Sequence, residues 1–335
     1  MENIFFGNTM TTKKFHDVYD TVELGSLIMD CLALPALLAL SYTTKLMHAQ
    51  VHRYLHMKLI VIFTSFGITA DDIITHLRLT NSLIIGSIAL RAVAPITYSI
   101  SSSHLDILVP TTHLSFFKDW LTITCGYTQE LSPSICHELL FHVRHHQMFV
   151  HQIGGRKKVI NVFGVQTIED TYKMLFYSSN TSLMNAITGW GLFTPYRSLL
   201  NRGLVAHNHI ENTLVVGEVL STLRAQLFRA ALLSEIRTRI NGFLFIPTSQ
   251  HLRLPCQCPN RSACPLRIRH TNDSFCTFLR IFTNAEWSAL QSTIFIPIDN
   301  PCLPLILWRL ASEDDDSPGF SIRFMERLFR YLVAR

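Results

Sequence analysis

The sequence predicts an α+β protein, and three observations support this class. Apolar residues recur with helical spacing up to about residue 65, and strand-like runs follow further along the chain. Two such runs flank the dipeptide Gly154-Gly155, as they do in a β-hairpin. Apolar residues make up 48% of the 335 positions and charged residues only 16%, so the chain can bury a large core and is not a disordered protein.

Residues 1–65 are predicted to form a helical module. A first helix is expected to bury one apolar face, and a second helical stretch begins at Pro35 and continues to about residue 55. Proline suits the first turn of a helix, because the N–H group that it lacks has no partner there. The predicted buried face of the first helix consists of Leu24, Leu27, Ile28, Cys31 and Leu32.

Residues 66–210 are predicted to form a mixed domain. Thr69 is expected to cap a helix, since its hydroxyl can accept a hydrogen bond from a free N–H group of the first turn. A short helix over residues 88–94, a strand over 105–110, a helix over 114–126 and a hairpin of residues 147–154 and 157–166 are expected to follow. The predicted apolar face of the helix after Thr69 consists of Ile73, Ile74, Leu77 and Leu79.

Residues 211–335 are predicted to form a C-terminal α+β region of unassigned topology. A long amphipathic helix is expected over residues 214–240, and a second helix over residues 320–335. Strands are expected over residues 243–247, 276–282 and 292–298.

The chain is expected to be intracellular, in the cytoplasm or the nucleus. Its longest apolar run, residues 27–39, contains Asp30 and Pro35 and is shorter than the roughly 20 residues that a membrane span requires. The N-terminus lacks the pattern of a secretory signal. The net charge of +5 is mild, so nucleic-acid binding is not indicated.

The helical residues 23–55 carry a further pattern. A short amphipathic helix leads into Leu-x-Leu-Pro-x-Leu-Leu-x-Leu-Ser at residues 32–41, and the next helix carries Lys45 and Val51. This order resembles an F-box, the module that docks on the Skp-type adaptor of a cullin ubiquitin ligase. An ordinary helical bundle is the alternative interpretation. The resemblance implies that the adaptor would contact Leu34, Pro35, Leu37 and Leu38.

A second pattern spans residues 84–202. Gly86 and Ser87 open a helix, a strand carries His104 and Asp106, and a later strand carries Asn161. This layout resembles the nucleotidyltransferase fold, in which a Gly-Ser pair, an Asp-x-Asp strand and a third carboxylate form the catalytic centre. It is also similar to uncharacterised fungal proteins that share these motifs and the segment of residues 184–204. The resemblance implies a mixed sheet with flanking helices.

The metal ligands of that fold are incomplete in this chain. Two Mg²⁺ ions need several oxygen ligands, whereas His104 and Asn161 occupy two of the three carboxylate positions and only Asp106 remains. We therefore expect a degenerate site without catalytic activity, in which Asp106 accepts hydrogen bonds from Ser87 or Ser103. The ligand-binding residues that we assign to this site are Gly86, Ser87, Asp106 and Lys158.

Cysteines in the C-terminal region provide candidate zinc ligands. Thiolates bind Zn²⁺ well, but structural zinc sites usually present Cys-x₂₋₄-Cys pairs, and here the first pair is Cys-x-Cys. A loop with incidental thiols is the alternative. The candidate ligands are Cys256, Cys258, Cys264 and Cys276.

Four histidines lie close together within residues 142–151. They lack the glutamate that follows the first histidine in the helix of a zinc protease. We expect a solvated or partly packed cluster, formed by His142, His145, His146 and His151.

The leading functional prediction is a non-catalytic intracellular adaptor or binding protein that links a ubiquitin-ligase adaptor to another partner. The alternative is a divergent Mg²⁺-dependent nucleotidyltransferase, whose metal would be held by Asp106 together with Glu169 or Asp170. A structural protein with neither activity is the third interpretation. The ligand, the partner and the oligomeric state are left open.

Overall fold

The computed structural model describes residues 22–96, 104–131, 143–176, 178 and 181–206, together with the segments 239–240, 243–246, 269–270, 276–280 and 307–308. These residues form helices and one large mixed sheet, so the α+β class is confirmed. Most of the predicted helix 214–240, the strand 292–298 and the helix 320–335 lie outside the described residues. Within the described part of the chain, no helix has the length and apolar character needed to cross a membrane.

Four helices begin the described chain. Thr44 and Thr69 cap the third and fourth, because their hydroxyls accept hydrogen bonds from the N–H groups of Met47 at 3.0 Å and Asp72 at 3.2 Å. The cap at Thr44 begins the third helix, which carries Lys45 and Val51. The helices are α1 (Val22–Asp30), α2 (Leu34–Ser41), α3 (Lys45–Thr64) and α4 (Ala70–Thr80).

The predicted buried faces of α1 and α4 are partly wrong. Leu24 and Leu27 of α1 are exposed, and Met29 is buried in their place. Cys31, which follows α1, is exposed as well. In α4, Leu79 is 61% exposed, because two helical residues turn its side chain about 200° away from the buried Leu77.

An eight-stranded sheet lies at the centre of the described residues. Its strand order is β12-β7-β6-β1-β2-β5-β4-β3, in which β2 and β5 are parallel and the other neighbours are antiparallel. The strands are β1 (Leu83–Ile85), β2 (His104–Pro110), β3 (Thr128–Glu130), β4 (Val143–Ile153), β5 (Arg156–Val165), β6 (Ala186–Thr188), β7 (Gly191–Thr194) and β12 (Thr277–Arg280).

The other elements connect or flank this sheet. The helices are α5 (Gly86–Val93), α6 (Leu114–Asp119), α7 (Ile168–Phe176) and α8 (Arg197–Asn201), with a 3-10 turn at Thr111–His113 and a π-helical turn at Trp120–Thr124. Two smaller sheets contain β8 (Leu204–Ala206), β9 (Arg239–Ile240) and β10 (Phe243–Ile246), and β11 (Arg269–His270) with β13 (Leu307–Trp308).

Local turn chemistry was predicted well, and one helix end was not. The hairpin between β4 and β5 turns at Gly154 and Gly155, whose positive φ angles of 56° and 73° explain why glycine occupies both positions. Arg239 and Ile240, predicted as the end of a long helix, instead pair with β10 as strand β9. Backbone hydrogen bonds to an adjacent strand replace helical bonds there.

The central sheet buries both of its faces. On one side, alternate residues such as Leu105 and Ile107 share a core with helices α1 to α5, and we call this side the N-terminal face. On the other side, Leu83, Leu108 and Val165 pack with α7 and α8, and we call this side the α7 face. Successive strand residues alternate between these two faces.

The N-terminal helices share their core with the sheet. The predicted domain boundary at residue 65 follows α3, yet Leu37 of α2 and Ile107 of β2 belong to one continuous cluster. Two polar contacts reinforce this packing: Lys58 Nζ donates to the Ala94 carbonyl at 2.7 Å, and the Ile96 N–H group donates to the Asp30 carbonyl at 2.8 Å. The predicted boundary at residue 210 lies outside the described residues.

Candidate functional site

The candidate site is centred on Asp106 of β2. Antiparallel pairing with β1 places Ile85 beside Asp106, and parallel pairing with β5 places Asn161 on its other side. Since α5 begins directly after β1, Gly86 is brought to the same place. Strand register therefore unites residues that are far apart in the sequence.

Asn161 is the hydrogen-bond partner of Asp106. Its Nδ2 donates to Asp106 Oδ1 at 2.8 Å, and Asn161 itself is fully buried. The expected bond from Ser87 is absent from this part of the structure, and Ser103 lies outside the described residues. The orientation of the Asn161 amide suits a carboxylate partner, because the reverse orientation would place the amide oxygen, an acceptor, against another acceptor.

Gly86 fits closely against the second carboxylate oxygen. Its φ angle is +73°, and a Cβ atom at this position would lie 3.1 Å from Asp106 Oδ2. A larger residue would therefore be strained both by its backbone and by the contact. Ser87 follows in the first turn of α5, and its predicted role in binding stays a prediction.

His146 extends this polar line across a third strand, and the sequence did not connect it with Asp106. Its Nε2 lies 3.4 Å from Asn161 Oδ1, and its ring stacks on Phe163 at a centroid distance of 4.7 Å. The hairpin register places His146 opposite Phe163, two residues from Asn161 on the same face. Pairing the two predicted strands about Gly154-Gly155 could have revealed this proximity.

Burial disfavours the charged forms of Asp106 and His146, the residues at the two ends of this polar line. It raises the pKa of Asp106, while the hydrogen bond from Asn161 and the charge of His104 act against that rise. Asp106 as a whole is partly exposed, but its carboxyl group is surrounded by protein atoms. Burial also lowers the pKa of His146, which the contact with Asn161 opposes. The site therefore favours the neutral imidazole of His146, and ionising Asp106 in it costs free energy.

The described side chains do not fit a Mg²⁺ centre. Magnesium requires near-octahedral oxygen coordination, whereas Asn161 turns its amide nitrogen, a donor, toward the one carboxylate. Among the residues that the structure describes, no group of three or more His, Cys, Asp or Glu side chains is placed to hold a metal ion. We therefore derive no metal-dependent step for this site.

Two other predicted ligands lie elsewhere. Lys158 is three residues from Asn161 on β5 and lies on the N-terminal face, where its Nζ is 5.0 Å from the ring centre of Phe66. Asp170 lies in the first turn of α7, where its Oδ2 accepts from the N–H group of Thr167 at 3.0 Å and from the Thr167 hydroxyl at 2.8 Å. Neither side chain joins the polar line at Asp106.

The predicted adaptor-binding residues are mostly inside the protein. Leu34, Pro35 and Leu37 of α2 are buried, and Leu34 and Leu37 belong to the core of the N-terminal face. Leu38 is partly buried at the edge of that core. Of this set, Leu38 has the most surface available for a partner.

The predicted zinc ligands are described only in part. Cys276 is partly exposed, and its Sγ lies 3.9 Å from the carbonyl oxygen of Pro195. Cys256, Cys258 and Cys264 lie outside the described residues, so the zinc site stays a prediction.

The histidine cluster is divided by the hairpin. His151 Nδ1 lies 2.8 Å from the carbonyl oxygen of Gly126, whereas His146 contacts Asn161. His142 lies outside the described residues. The histidines therefore make separate contacts, and one of them belongs to the candidate site.

No protein-family model and no curated protein matches this chain.

Proposed function

We propose that this chain is a non-catalytic binding protein built on a nucleotidyltransferase-like sheet. The observation that carries the proposal is the hydrogen bond from Asn161 to Asp106, made where the resembling enzymes place two metal-binding carboxylates. The adjacency of Gly86, Asp106 and Asn161 supports the likeness, because it matches the order of motifs that the resemblance implies. Fold and chemistry are separable, so such a sheet can persist as a scaffold.

The electrostatics of the site support a loss of catalysis. Phosphoryl and nucleotidyl transfer need divalent ions to offset charge on the phosphates. A single carboxylate whose pKa is raised by burial provides little charge for that purpose. The amide of Asn161 donates a hydrogen bond to this carboxylate and adds no charge of its own to the site.

The partner proposed for the N-terminal helices is a Skp-type ubiquitin-ligase adaptor. Because Leu34 and Leu37 are buried in the shared core, docking would use the apolar surface that remains accessible at the end of α2. Apolar side chains with accessible surface in residues 38–46 are the partly buried Leu38 and the exposed Tyr42 and Leu46. This stretch is continuous in sequence with the motif that resembles an F-box.

Co-purification with the Skp-type adaptor tests the adaptor role. Leu38→Asp should abolish association while the variant keeps the thermal stability of the wild type to within a few degrees. Ala39→Asp, an exposed neighbour on the same helix, is the matched control and should weaken association less. Leu37→Asp is unsuitable, since a charge in the core would unfold the protein. Absence of association with the wild-type chain would contradict the adaptor role.

The alternative function is a divergent Mg²⁺-dependent nucleotidyltransferase, and one observation favours it. Asp106 Oδ2 receives no hydrogen bond from the described residues and faces Gly86 at the start of α5. A thermal-shift measurement with each of the four nucleoside triphosphates and Mg²⁺ separates the two functions. A shift that Asp106→Asn removes would support the enzyme, and no shift in folded protein would support the non-catalytic scaffold. A structural protein would respond to neither test.

A further inference from the structure

Strand β12 joins the central sheet from the predicted C-terminal region, residues 211–335. It has four residues and pairs with β7, from Thr277 opposite Thr194 to Arg280 opposite Gly191. In the order of the described strands it is the last one on its side of the sheet. A short strand at the edge of a sheet is among the parts of a fold that can open without unfolding the rest.

The same strand lies against α2, the helix that carries the predicted adaptor-binding residues. Cα atoms of β12 lie within 8 Å of Cα atoms of α2. Leu279 of β12 is 3% exposed and belongs to the core cluster that also contains Leu34 and Leu37. The side chain of His52 in α3 hydrogen-bonds to the backbone of Arg280. Strand β12 therefore helps to bury the helices whose apolar residues the F-box resemblance assigns to a partner.

The backbone of β12 packs closely on Gly191 of β7. A Cβ atom at Gly191 would lie 2.4 Å from the carbonyl oxygen of Leu279 and 2.6 Å from the ring of Phe278. Both separations are too short for a non-bonded contact, and glycine in a strand often marks such a close approach of another backbone. A single methyl group at Gly191 would therefore push β12 away from β7 without changing any residue of α2.

We propose that β12 is a releasable strap, which limits the apolar surface of α2 when it is paired with β7 and uncovers more of that surface when it is released. This inference rests on the proposed function, because the partner that gains the surface is the Skp-type adaptor. While β12 is paired, docking is confined to the accessible apolar residues at 38–46. The apparent affinity for the uncovered helix is the intrinsic affinity multiplied by the fraction of molecules in which β12 is released.

Hydrogen exchange of the wild-type full chain, followed by mass spectrometry, tests whether β12 opens by itself. Amides of β12 should exchange at least about a hundredfold faster than those of β2, which lies between β1 and β5 in the sheet. Equal exchange rates for the two strands would overturn the proposal, because β12 would then open only when the whole protein unfolds. This measurement needs no variant and no partner.

Two glycine substitutions test the consequence for docking. Gly191→Ala displaces β12 and should tighten association with the Skp-type adaptor by about tenfold or more, since binding no longer depends on spontaneous release. Gly189→Ala is the matched control, because its Cβ atom would lie 2.3 Å from the Cα atom of Arg78 in α4 and does not meet β12. The control should leave the affinity within about twofold of the wild type.

The outcomes separate the strap from the adaptor role. If the wild type associates and Gly191→Ala binds no more tightly, or if both glycine variants tighten binding equally, the strap is overturned. Leu279→Ala, which weakens the core contact of β12 without a clash, should tighten association as well and serves if Gly191→Ala does not fold. If the wild type does not associate, the adaptor role is contradicted, and the exchange rates alone decide whether β12 is releasable.

Discussion

The two faces of the central sheet use the same strands for different purposes. On the N-terminal face, β2 contributes Leu105 and Ile107, both fully buried in a continuous apolar core. On the α7 face, the same strand contributes His104 and Asp106, and Leu108 restores the apolar pattern. Because alternate residues of a strand point to opposite faces, a polar line can be added to one face without interrupting the core on the other. The comparison indicates that β2 presents only apolar side chains to the N-terminal face, whereas on the α7 face it combines the candidate site with an apolar contact.

The largest effect is expected from the N-terminal face. Ile107→Ala should lower the free energy of unfolding by about 4 kcal/mol, because it leaves a cavity in a well-packed core. Urea unfolding followed by circular dichroism measures this loss. Ile107→Val is the matched control and should lose only about 1 kcal/mol. If Ile107→Ala lowered the free energy of unfolding no more than the α7-face variants described below, the difference between the two faces would be contradicted.

Low pH should destabilise the protein through His52 of α3, a helix that packs on the N-terminal face. Burial, with smaller contributions from His48 and Arg280, lowers the pKa of His52 from 6.5 to about 3. The unfolded chain therefore binds more protons between these pKa values, so stability is lost as pH falls below 6.5. The expected loss from pH 7 to pH 4 is roughly 3 kcal/mol, measured by urea unfolding at several pH values.

The control for this pH dependence is another residue on the same helix. His52→Gln should flatten the acid slope, whereas His48→Gln should leave most of it, since His48 is only partly buried. Equal acid slopes for wild type and His52→Gln would show that His52 is not the group responsible.

A charge added to the α7 face should cause an intermediate loss of stability. Asn161→Asp replaces the donor to Asp106 with a second carboxylate at hydrogen-bond distance, and should cost about 2 kcal/mol at pH 7. The loss should shrink at lower pH, where one carboxyl group becomes protonated. Differential scanning calorimetry with and without millimolar Mg²⁺ checks this. Mg²⁺ should raise the melting temperature of the variant but not that of the wild type.

The smallest effect is expected for Asp106→Asn. The new amide oxygen can still accept from Asn161, so at a pH low enough for Asp106 to carry its proton, stability should change by less than about 1 kcal/mol. The folded protein holds a proton on Asp106 above the ordinary pKa of 3.8, because burial raises that pKa. Its contribution to stability is therefore present at low pH and is lost as pH rises through the raised pKa. Relative to wild type, the variant should become more stable as pH increases, which urea unfolding from pH 3 upward would reveal.

Local chemistry made part of this structure predictable. The cap at Thr69 and the turn at Gly154-Gly155 depend on neighbouring residues and on backbone angles that few residue types adopt. The rotation of α1 could not be predicted in the same way. It depends on tertiary contacts, including the hydrogen bond of 2.7 Å from the Tyr54 hydroxyl to Asp30, and these turn Leu24 to the surface.

The candidate site was predicted in outline but not in its bonds. The resemblance predicted that Gly86, Asp106 and Asn161 lie together, and strand pairing brings them together, while their role stays a prediction. The role of His146 depends on strand register, and the position of Lys158 depends on which residues of β5 alternate to which face. A shift of one residue in register reverses every side chain, so the sequence alone does not fix these positions.

The parallel pairing of β2 and β5 also bears on how the chain folds. The β4–β5 hairpin closes through a two-residue turn and can form within microseconds, whereas β2 must find β5 across a separation of about 55 residues. We expect the hairpin to form early and β2 to join it late in folding. The hydrogen bond between Asp106 and Asn161 then forms only when both parts are in register, so it reports on a late step of assembly.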